Sequence, residues 1–168
     1  METVDPYNLG RFVAAQDRGG TYRRAVAELR AGRKVSHWIW FVFPQIEGLG
    51  FSAMSKEYAI SGLDEARAYL AHPVLGPRLR ECAGIVAGTA GKTAADIFGG
   101  IDAMKLRSSM TLFAAAAPGD ETVSGDKPVS GDETASGDGT ASRDETVFSE
   151  VLAKYFDGER DEATLTRL

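Results

Sequence analysis

His37 is flanked by Trp38 and Trp40 in the stretch "SHWIWFVFPQ", and no other part of the chain sets so much aromatic surface beside a titratable group. Imidazole is the side chain whose ordinary pKa lies near neutrality, so His37 is the candidate acid or base if the protein is a catalyst. On a helix, Trp40 and Phe41 would follow His37 at i+3 and i+4, while Trp38 would fall on another face. Two readings stand side by side: the tryptophans fill the core and His37 bonds a carbonyl, or the segment walls a site in which Trp38 or Trp40 stacks on a planar group.

A second set of groups stands in "DAMKLRSSMTLF", Asp102 to Phe113. Helical spacing puts Leu106, Met110 and Phe113 on a core stripe, with Asp102, Lys105 and Ser109 on one flank and Arg107, Ser108 and Thr111 on the other. Hydroxyls beside two cations suit an anion such as phosphate or carboxylate, because the cations supply charge and the serines supply adjustable donors. The plain alternative is a solvated helix face. If the two segments meet, a small anionic or nucleotide-like ligand would be held by Trp38, Trp40, Gln45, Lys105, Arg107, Ser108 and Ser109. The competing class is a protein-interaction module, in which the aromatics are core and a protein partner docks on helix faces.

Other motifs lose their apparent chemistry on inspection. "GTAGKT", Gly88 to Thr93, ends like a phosphate-binding loop, but Val86 stands where that loop needs its first glycine. Cys82 lies on an apolar helical stripe, where a thiol behaves as a small hydrophobe. Two histidines and one cysteine without paired spacing carry no metal signature, so neither metal nor cofactor is expected.

The elements that must position these groups read as helices. Asp5-Pro6 suggests a start before Leu9, Phe12 and Val13, and Thr21 suggests a cap before Tyr22, Val26 and Leu29, with Gly32 at the left-handed C-terminal position. Ser52 opens another helix, and Ser61 with Asp64 has capping-box spacing. Pro73 leads into Leu75, Leu79, Cys82 and Val86, while Thr93 with Asp96 caps a short helix around Ile97 and Phe98. After a run of hexapeptide repeats, Phe148, Val151, Leu152, Tyr155 and Phe156 make a stripe that Gly158 closes, and "DEATLTRL" adds a last turn. "WIWFVF" is the one strand-like run, but without a partner it reads more simply as a buried central helix. The fold class is therefore all-α: a compact bundle of short helices forming one domain over residues 1–168.

The net charge of −5 is local. From Gly119 the units GDETVS, GDKPVS, GDETAS and GDGTAS repeat, and these 24 residues hold six acids and one base. Subtracting them leaves 24 − 6 = 18 acids and 19 − 1 = 18 bases, a neutral remainder that argues against nucleic acid as a partner. The repeat, residues 119–142, has almost no apolar surface to offset ordering costs of about 1–2 kcal/mol per residue, and reads as a disordered insertion. No apolar run approaches the roughly 20 residues of a membrane span. A single cysteine and the absence of a basic, apolar leader lead us to expect a cytoplasmic protein.

The segments "DPYNLGRFVAAQ", "AVAELRAGRKVSHWIWFVFPQIEGLGFSAMSKEYAI", "LDEARAYLAHPVLGPRLREC", "IFGGIDAMKLRSSMTLFAAAAP" and "VFSEVLAKYFDG" together resemble the family known as domain of unknown function 1810. The resemblance spans nearly the whole chain except the hexapeptide repeat, which replaces a short connection. It implies a small all-α fold, with His37 to Gln45 and Lys105 to Phe113 as the family's recurring blocks, and it implies no particular activity.

Overall fold

The helices are short because glycines, prolines and caps interrupt the chain every ten residues or so. A computed structural model describes residues 5–117 and 147–168; the repeat at 119–142 lies outside them. In chain order the helices are α1 (Gly10–Asp17), α2 (Thr21–Arg30), α3 (Ile39–Val42), α4 (Ala53–Glu57), α5 (Leu63–Ala71), α6 (Leu75–Gly88), α7 (Ala94–Phe98) and α8 (Gly100–Ala116), followed by α9 (147–156) and α10 (Glu162–Leu165). A 3₁₀ turn, Arg18–Gly20, joins α1 to α2. The all-α class holds: among the described residues there is no strand, only a parallel bridge between Ile46 and Ile60.

Several ends form where the sequence puts them. Gly32 has φ 79°, its N–H donates to the Leu29 carbonyl at 2.9 Å and that of Arg33 to the Glu28 carbonyl at 3.0 Å, which is a Schellman closure of α2. Thr93 and Asp96 make a reciprocal capping box on α7, and Ser52 caps α4 through the Ser55 amide. Others differ. Asp5 caps α1 from a distance, accepting from the amides of Leu9 (2.7 Å) and Gly10 (2.9 Å), so the helix begins at Gly10 rather than at Pro6. Gly20, not Thr21, occupies the N-cap of α2. The Ser61–Asp64 box does not form; Gly62 is the N-cap of α5, and Glu65 instead reaches back to the Ser61 amide at 2.8 Å. The helix expected from Pro73 starts at Leu75, with His72 Nδ1 accepting from the amides of Val74 and Leu75.

The central helix is α8, not the tryptophan segment. From Ser108 to Ala114 it is buried on every side, and it packs against α3, α5, α7 and α10. Residues 36–45 contribute only the single turn of α3, which Pro44 follows. The hydroxyls of the polar flanks expected on α8 are buried too, Ser109 and Thr111 fully and Ser108 nearly so, while Asp102, Lys105 and Arg107 stay partly exposed. Hydroxyls tolerate this position because they can bond their own helix, as Thr111 Oγ1 does with the Arg107 carbonyl at 2.8 Å and Ser108 Oγ with that of Met104 at 3.2 Å.

One hydrophobic core joins α1 to α9, with Phe12, Trp38, Phe43, Tyr69, Phe113 and Phe148 among its largest members. Cys82 lies inside it on α6, and burial pushes its thiol up to about 12. A thiol reagent at pH 8 should therefore label Cys82 at least a hundredfold more slowly in the folded protein than in denaturant; comparable rates would place Cys82 at the surface.

Candidate functional site

One face of α8 carries Ile101, Met104, Lys105 and Ser108, spaced at i, i+3, i+4 and i+7. Opposite it runs the segment after α3. Pro44 ends that helix, and the Ile46–Ile60 bridge fixes the chain beyond it, the Ile60 amide donating to the Gln45 carbonyl at 2.9 Å and the Glu47 amide to the Ile60 carbonyl at 2.8 Å. Between the two walls lies a cleft of about 550 Å³, within the size range that takes small ligands. Trp40, Gln45, Leu49 and Phe51 line it, with Ser52 and Ser55 of the α4 cap.

The C-terminal segment closes the third side with Asp161 and Ala163. Arg107 ties that segment to α8, donating through Nε to the Glu159 carbonyl and through Nη2 to the Arg160 carbonyl, each at 3.0 Å. The Asp161 amide donates to Thr111 Oγ1 at 2.9 Å, and Ser108 Oγ donates to Asp161 Oδ2, also at 2.9 Å. At the far end Arg167 Nη2 reaches the Gly48 carbonyl at 3.2 Å, so the segment spans both walls. A neighbouring groove of about 640 Å³ is bounded by Arg107, residues 159–163 and Leu165, but the Arg107 guanidinium is already committed to those two carbonyls.

The charge at the Lys105 end of the cleft is arranged around Asp102, which is not itself among the lining residues. Asp102 pairs with Lys34 at 2.8 Å, and the same group receives Lys105 Nζ at 3.4 Å. Lys34 is nearly enclosed, donates to the Ser36 carbonyl at 2.6 Å and sits 5.0 Å from the Trp38 ring centre, so its charge is spent within the fold. Lys105 is the looser partner and is the cation that borders the cleft. Two ammoniums to one carboxylate leave excess positive charge at this end, while Asp161 sets a carboxylate at the other.

Four of the residues singled out from sequence meet at the cleft: Trp40, Gln45, Lys105 and Ser108. The other four do not. His37 is exposed, precedes α3 rather than belonging to it, and is not among the lining residues. Trp38 is fully buried, packs on Phe43 and Phe98, and gives its indole N–H to Glu28 Oε1 at 2.9 Å. Arg107 serves the C-terminal segment. Ser109 is fully buried, and its hydroxyl finds no hydrogen-bond partner among the described residues. Sequence reading missed Phe51 and Asp161. Phe51 had a signal, a large apolar residue between Gly50 and the capping Ser52; Asp161 had one only as the N-cap of a final turn.

Exposed apolar surface gathers at the mouth: Phe51 is 84% exposed, Ile101 76% and Met104 61%. Among the described residues no cluster of three or more His, Cys, Asp or Glu is placed to hold a metal ion, and no helix is long and apolar enough to cross a membrane.

A family model described as "Protein of unknown function (DUF1810)" matches residues 6–126. The chain is also similar to the conserved hypothetical protein Rv1873 from Mycobacterium tuberculosis, known from a crystal structure, with 44% identity over 98% of each chain and a TM-score of 0.79. Comparison with the curated proteins gives no match.

Proposed function

The chain belongs to the DUF1810 family, and from the geometry of its cleft we propose that it binds a small anionic or nucleotide-like ligand between α8 and the segment that follows α3. The observation that carries this reading is the placement of Lys105, a cation with only a share of Asp102, in a cleft of about 550 Å³ beside Trp40 and Phe51. A planar group stacks on the aromatic faces, the anionic group sits at Lys105, and Gln45, Ser52 and Ser55 supply donors and acceptors for its edges. His37, outside the lining, has no part in this contact, so the reading is of a binding site and names no reaction.

A thermal-shift screen of nucleotides, sugar phosphates and aromatic carboxylates tests it, since a ligand at a hundredfold excess over Kd stabilises the fold by about 2.7 kcal/mol. For any hit, Lys105→Ala should weaken binding about tenfold and flatten its salt dependence, because one screened charge pair is lost. A hit whose affinity ignores Lys105 would move the site elsewhere.

The exposed Phe51, Ile101 and Met104 favour one other reading, in which the mouth is a docking surface for a protein partner. The two readings separate on size: no small molecule in the screen shifts the midpoint if the surface serves a protein alone.

A further inference from the structure

We infer that the ligand of this cleft is dipolar, an amino-substituted planar ring that also bears an anionic group, as in an adenine nucleotide, with its acid at Lys105 and its amino group donating to Asp161. This rests on the small-molecule reading above and specifies what that molecule must carry.

The second pole is the Asp161 carboxylate. Its Oδ2 accepts from Ser108 Oγ at 2.9 Å, from the Thr164 amide at 3.2 Å and from Thr164 Oγ1 at 2.5 Å. An ionised carboxylate offers about four acceptor positions on two oxygens and no donor. Every one of those bonds falls on the same oxygen, and among the described residues none reaches Oδ1. No cation among them pairs with the group, although it borders the cleft. The hydroxyl of Ser108 has a single proton, already shared between Asp161 and the Met104 carbonyl, so it cannot serve a ligand as donor without releasing Asp161.

Lys105 and Ser108 are three residues apart on α8, a rise of about 4.5 Å along the axis, and Asp161 lies one hydrogen bond beyond Ser108. The cleft thus has a positive end and a negative end along one wall, faced by Trp40 and Phe51 on the other side. A purely anionic ligand would gain from Lys105 but face repulsion from Asp161 once water is displaced. A ring with an amino group at that end donates to this acceptor; the same ring without the amino group displaces water and leaves the carboxylate without a donor. The carboxylate therefore selects as well as attracts.

Adenosine monophosphate and purine riboside monophosphate are suitable probes, alike in phosphate, sugar and ring nitrogens and differing only in the exocyclic amino group. Calorimetric titration of the full chain should give at least tenfold tighter binding of adenosine monophosphate. Asp161→Asn keeps an oxygen able to cap α10, so the fold should survive, which the unfolding midpoint checks. In this variant adenosine monophosphate should weaken about tenfold while purine riboside monophosphate holds, and Lys105→Ala should weaken both. Equal affinities in the native protein, or a preference that survives Asp161→Asn, would overturn the dipolar inference while a Lys105-dependent affinity kept the anion reading. If neither nucleotide binds but inorganic phosphate or benzoate does so through Lys105, the dipolar inference alone fails. If none of the four probes shows Lys105-dependent binding, both readings fail.

Discussion

Trp38→Ala is expected to lower the unfolding free energy by about 4 kcal/mol, the upper range for removing a large aromatic from a core. The side chain is fully buried between Phe43 and Phe98, with ring centres 6.3 and 6.5 Å away. Its indole N–H is one of four donors that hold Glu28, so the substitution also loosens the 33–38 turn. Trp40→Ala should behave differently: half-buried at the cleft, it should cost about 1–2 kcal/mol of stability and reduce the affinity of any planar ligand. Urea unfolding of the two variants gives the comparison. A loss below about 1 kcal/mol for Trp38→Ala would contradict its place in the core.

The contrast between two tryptophans separated by one residue marks where sequence reading stops. The periodicity of Leu75, Leu79, Cys82 and Val86, and of Phe148, Val151 and Leu152, identifies buried stripes because helical spacing and burial agree there. Gly32 and the Thr93–Asp96 pair are legible because each answers a local backbone need. The His37–Trp40 pairing assumed a helical turn through residues 37–41, but α3 starts at Ile39, so the i+3 relation never forms. Periodicity cannot locate a one-turn helix inside an unbroken apolar run. On α8, hydroxyls read as a polar flank are enclosed because the helix's own carbonyls can accept from Ser108 and Thr111. Asp161 meets Ser108 across 53 residues of sequence, and no local pattern announces such a contact. The wall residues of the cleft were visible as types; its closure by the C-terminal segment was not.

Glu28 should make stability depend on pH in the acid range. Its carboxylate accepts from the amides of Val35 (2.7 Å) and Ser36 (2.9 Å), from Ser36 Oγ (2.6 Å) and from the Trp38 indole (2.9 Å). Burial is the largest single influence and works to raise the pKa, but the bonds from Ser36, Val35 and Trp38 together outweigh it and hold the group at about 2, below its ordinary 4.5. A pKa depressed in the folded state means that the unfolded chain binds the proton more readily. The stabilisation is thus complete above pH 4.5 and drains away as pH falls toward 2. The full difference corresponds to about 3 kcal/mol, reduced toward about 2 by the partial exposure of the group. Asp5 and Asp96 are also held low, chiefly by backbone amides of Gly10 and Thr93, so the native protein alone cannot isolate the effect of Glu28. Glu28→Gln does isolate it. The amide nitrogen turns a donor toward donors, so the variant should be about 3 kcal/mol less stable at pH 7. The gap should narrow to about 1.5 kcal/mol at pH 2, where the native Glu28 is half protonated and most of its pH-dependent contribution has gone. Urea midpoints measured for both proteins between pH 7 and 2 decide the matter: curves that run parallel over the whole range would mean that Glu28 is not held by these four bonds.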